Sequence, residues 1–120
     1  MSKKILILED DSFYRQFLNL YLKRKNYFVK NFDNTGYLVN EIKENSYDVL
    51  ILDADVKGKY TLEQVIEFSR EFNKDARIII YSGYGESKFE RFRADVVVRK
   101  GETLAKNLVQ DIDDYFKLNF

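Results

Sequence analysis

Four short apolar runs in this chain each end in residues that carry chemistry. Ile5 to Leu8 runs into Glu9-Asp10-Asp11, and Val49 to Leu52 into Asp53-Ala54-Asp55. Ile78 to Tyr81 is followed by Ser82-Gly83, and Val96 to Val98 by Arg99-Lys100-Gly101. Together these tails supply several carboxylates, one hydroxyl and one ammonium. Carboxylates gathered in one place repel: two unit charges about 4 Å apart cost roughly 4 kcal/mol at an effective dielectric of 20. Such a cluster needs compensation. Lys100 offsets one charge, and a hard dication offsets two more; ligation by oxygen alone suits Mg²⁺. A metal with an open coordination position also binds a phosphoryl oxygen. Helix capping explains Asp11 and Ser12, but not acids immediately after buried strands together with a Lys after another.

The elements that must position these groups are legible from periodicity. Apolar runs without alternation mark strands covered on both faces, as in parallel sheets. Between them lie amphipathic stretches at helical spacing. The first helix is expected from Phe13 to about Lys25, with Ser12 as cap and Phe17, Leu18, Tyr21 and Leu22 as its apolar stripe. Asn26 stands where a left-handed cap is wanted. Tyr27 to Phe32 reads as a strand and Gly36 to Glu44 as a helix. Leu62 to Phe72 reads as a third helix, Glu86 to Phe92 as a short one, and Glu102 to Phe116 as the last. Five strands alternating with five helices predict an α/β fold, a doubly wound parallel sheet with helices on both faces. In that class ligands bind at the carboxyl ends of the strands. All four polar tails converge there.

Composition narrows the chemistry. The 120 residues suit one domain. The chain has no Cys and no His, which excludes disulfides, thiolate nucleophiles, Cys/His zinc sites and histidine acid–base catalysis. With 20 basic and 20 acidic side chains the formal net charge is zero, so no long-range field draws the protein to nucleic acid or an anionic membrane. No run is long enough for a signal-peptide core or a membrane span, and a cytoplasmic protein is expected.

Lys4 to Leu18, Tyr47 to Asp53, Ile78 to Gly83 and Ala94 to Lys100 resemble the receiver domains of two-component response regulators. The resemblance covers the whole chain, residues 1–120, as a single receiver domain. It implies a flavodoxin-like sheet of order 2-1-3-4-5. It implies that Glu9 and Asp10 hold Mg²⁺, that Asp53 is both phosphorylated nucleophile and metal ligand, and that the Asp55 backbone carbonyl adds a ligand. Ser82 and Lys100 would each meet a phosphoryl oxygen. The donor would be a histidine kinase or phosphotransfer protein, the signal would pass to an effector protein, and the only catalysis would be of its own phosphorylation and dephosphorylation.

The sequence also departs from the family pattern. Lys57-Gly58 stands where a Pro is usual, Thr61 near a usual Gly, and Gly101 where a Pro follows the Lys. The aromatic switch position is Val97. The stretch from Ser82 to Lys100 is short by about one helical turn, roughly four residues. These departures leave room for a second reading, a receiver-like interaction module that works without phosphorylation. Tyr84 either takes over part of the switch from above the phosphoryl group or is a surface residue of the Gly83-Tyr84-Gly85 turn. A flavin or nucleotide binder of similar fold lacks support, because no Gly-rich loop follows the first strand.

Overall fold

The computed structural model describes residues 2–83, 86–89, 92–100 and 104–119, without the side chains of 86, 87, 104 and 119. Five parallel strands form one sheet in the order β2-β1-β3-β4-β5. They are β1 (Lys4–Leu8), β2 (Phe28–Phe32), β3 (Val49–Asp53), β4 (Arg77–Ser82) and β5 (Val96–Arg99). The helices are α1 (Ser12–Arg24), α2 (Thr35–Glu44), α3 (Leu62–Phe72) and α4 (Leu104–Asn119). The expected order and architecture are those observed.

Strand side chains alternate between faces, and so each interior strand feeds two cores. Leu6, Leu8, Leu50, Leu52, Ile78 and Ile80 pack under α2 and α3. Ile5, Ile7, Val49, Ile51, Ile79 and Tyr81 pack under α1 and α4. Each of those strand residues is at most 3% exposed, so apolar runs without alternation were the right signature.

Several expectations need correction. Between β4 and β5 the described residues hold only a 3₁₀ turn, Glu86–Phe89, in place of a fifth helix. The cap of α1 is Asp11, whose side chain accepts from the Phe13 N–H, and Ser12 is already helical. On α1, Leu18 and Leu22 are buried but Phe17 is 38% exposed, because the stripe that meets the sheet is narrower than the apolar content of the helix. Asn26 does adopt the left-handed conformation, φ 65°.

The loop after β3 is built around Gly58, at φ 146°. A Cβ there would lie 2.4 Å from Thr35 Oγ1, so the position requires Gly. Buried Thr35 latches this loop to α2: its hydroxyl accepts from Tyr60 N–H and its own N–H reaches the Lys57 carbonyl. Thr61 then caps α3 in a reciprocal pair with Gln64, which accounts for Thr at this departure from the family pattern.

Candidate metal and phosphoacceptor site

Strand register explains why distant residues meet. Leu8 pairs with Leu52, so Glu9 and Asp53 follow side by side. Asp53 pairs with Tyr81, and Ser82 with Arg99, which puts Lys100 just past the end of β5. The Lys100 N–H donates to the Ser82 carbonyl at 2.6 Å and closes that corner.

Glu9, Asp10 and Asp53 each offer a carboxylate oxygen, and these oxygens lie within 4.8 Å of one another. Glu9 and Asp53 are buried while Asp10 is exposed, so the cluster opens to solvent on one side. Lys100 Nζ lies 2.7 Å from Glu9 Oε1 and 3.2 Å from Asp53 Oδ2. The other oxygen, Asp53 Oδ1, accepts from the Asp55 N–H at 3.0 Å. Asp55 itself is exposed, and Ser82 is fully buried at the end of β4.

Electrostatics set the site's demand for a cation. Burial, then the neighbouring Asp53 carboxyl, pushes the Glu9 carboxyl up to about 8, against the pull of Lys100. Burial works against the Lys100 charge, but Glu9 and Asp53 outweigh it and hold the ammonium above its ordinary value. Despite the short ion pair, neither Glu9 oxygen has a well-aligned hydrogen bond among the described residues. A buried carboxylate whose oxygens lack a well-aligned hydrogen bond, facing two further carboxylates, fits a hard dication with oxygen ligands.

Two aromatic residues not anticipated as part of the site stand beside it. Lys100 Nζ lies over the Tyr14 ring, 4.8 Å from its centroid, and over the Tyr81 ring at 5.3 Å. The available signal was a tyrosine after three consecutive isoleucines, immediately before Ser82. Val97 does not join the site; it packs against the core beneath α2 and α3. Tyr84 lies outside the described residues.

The family model of the response regulator receiver domain matches residues 5–111, and the chain belongs to that family. Membership implies two-component signalling and interaction with kinases or effectors. The transcriptional regulatory protein ResD of Bacillus subtilis (strain 168) is 31% identical over 101 residues, 80% of this chain and 41% of ResD. The chain therefore spans less than half the length of that relative. A CheY-like receiver domain protein from Methanospirillum hungatei JF-1 superposes with a TM-score of 0.86 at 18% identity, over 98% of this chain and 96% of that one. The response regulator TrrA from Thermotoga maritima, solved in complex with Mg²⁺-BeF, gives 0.79 at 24% identity, over 93% and 97%. At these identities the likeness to both structures is one of fold. No described helix is long and apolar enough to cross a membrane.

Proposed function

We propose that the chain, as one receiver domain over residues 1–120, accepts a phosphoryl group on Asp53 in a Mg²⁺-dependent reaction. The observation that carries this is Asp53 itself: a buried carboxylate at the end of β3, within 4.8 Å of two other carboxylates and 3.2 Å from an ammonium. The Asp55 N–H holds Oδ1 and so fixes the plane of the carboxylate. Glu9, Asp10, Asp53 and the Asp55 carbonyl would hold the metal, which when bound neutralises charge on the incoming phosphoryl oxygens. Lys100 would leave its present carboxylate partners for a phosphoryl oxygen, and the Ser82 hydroxyl would donate to another. Attack by Asp53 forms an acyl phosphate and releases the donor's leaving group; water later reverses the mark. The donor would be a histidine kinase or phosphotransfer protein, the receiver of the signal an effector protein, and a cytoplasmic location goes with that role.

Incubation with acetyl phosphate and Mg²⁺, followed by intact-mass measurement, tests this. One phosphoryl adduct is expected on the parent and none on Asp53→Asn. An equal adduct on the variant removes Asp53 as the acceptor.

A further inference from the structure

Lys100 has a flexible four-carbon stem, and at present two carboxylates hold its head group. Both are also the groups that a dication would engage. A cation drawn to Glu9 and Asp53 would compete for those partners and repel the ammonium. Something else must then keep Lys100 turned toward the site.

The rings of Tyr14 and Tyr81 meet that need. Their planes cross at 88° with centroids 5.7 Å apart, so one ammonium meets two different ring surfaces. Lys100 Nζ is within 6 Å of both centroids, the range in which a ring quadrupole attracts a cation. The rings are neutral: they do not ligate the metal and do not repel a phosphoryl group. Core packing alone does not explain Tyr81. Its hydroxyl is buried with no hydrogen-bond partner among the described residues, a cost that an apolar residue at this position would avoid.

We propose that Tyr14 and Tyr81 form an aromatic cradle that keeps the Lys100 ammonium facing Asp53 whether or not a cation occupies the carboxylates. They are positioning residues, and their effect on rate rests on the phosphorylation of Asp53 put forward above.

The test compares Leu and Phe at each position. In the parent, the ε-methylene protons of Lys100, identified by their loss in Lys100→Gln, should resonate upfield of the other lysines through ring currents. Tyr14→Phe and Tyr81→Phe should keep that shift and label with acetyl phosphate within about twofold of the parent rate, because the ring face remains. Tyr14→Leu and Tyr81→Leu should lose much of the shift and label roughly tenfold more slowly, with Mg²⁺ affinity unchanged. Tyr14 is only half-buried, so its Leu variant keeps the comparison usable should Tyr81→Leu fold poorly. An unshifted Lys100 in the parent overturns the cradle. So does parent-like labelling in the Leu variants, or a loss of labelling in the Phe variants equal to that in the Leu variants. If the parent takes up no phosphate, the acceptor role of Asp53 fails, and the NMR shift still decides the cradle.

Discussion

Glu9 is 1% exposed, and burial is the main reason its carboxyl is pushed up to about 8. Its ordinary value, 4.5, describes the unfolded chain. The folded state therefore binds this proton more tightly. The stability that comes from holding it is fully present below pH 4.5 and is lost as pH rises through about 8. Thermal melts in chelator should show the melting temperature falling across that window, and Glu9→Gln, neutral and nearly the same shape, should flatten the fall. An undiminished slope in Glu9→Gln would assign it to another group. The acid pair at the end of β1 was plain in the sequence because acids are rare after a buried run. Nothing in the sequence distinguished buried Glu9 from exposed Asp10: that depends on which of two consecutive residues turns under the sheet's edge. Tyr14 and Tyr81 were missed for a related reason, since their meeting at Lys100 joins α1, β4 and the end of β5.

The connection from β4 to β5 shows the same division between local and distant information. Its shortness was readable by counting from Ser82 to Lys100, and a single 3₁₀ turn is what stands there among the described residues. How so short a connection is held was not readable. Arg70, on α3, donates to the Arg93 carbonyl through Nε and Nη2 and to the Ala76 carbonyl through Nη1, and pairs with Asp95 at 3.1 Å. Asp95 in turn accepts from the Ile78 N–H at 2.7 Å. Phe89 and Phe92, edge to face at 5.7 Å, fill the space between this segment and the core. Contacts between residues 23 and 25 apart lie beyond any helical or strand period. Arg70→Met keeps the apolar stem and removes the donors, leaving the exposed Arg93 carbonyl to water and the part-buried Ala76 carbonyl without its partner. It should cost about 0.5–1.5 kcal/mol, read as a lower midpoint in urea with an unchanged slope. A midpoint within error of the parent would mean that water replaces the guanidinium without loss.

Seen across the whole sheet, the two halves of the charged site are mounted on unequal supports. The carboxylates extend from β1 and β3, interior strands whose side chains are almost wholly buried under both cores. The ammonium extends from β5, a four-residue edge strand with no fully buried position. Local opening is easiest where few apolar contacts cover the backbone, so β5 should open far more often than β3. Each opening would carry Lys100 away from Asp53 while the acids stay in place. A phosphoryl group bound by both would act as a tether between the edge of the sheet and its centre. Amide hydrogen exchange should then slow on phosphorylation, measurably at Val96 to Arg99 and little at Val49 to Asp53. Equal slowing at both strands would mean that the mark stabilises the molecule globally. If slowing is confined to β5, the Asp53 acyl phosphate would be read out as the persistence of an edge strand: a signal carried by how seldom the sheet frays.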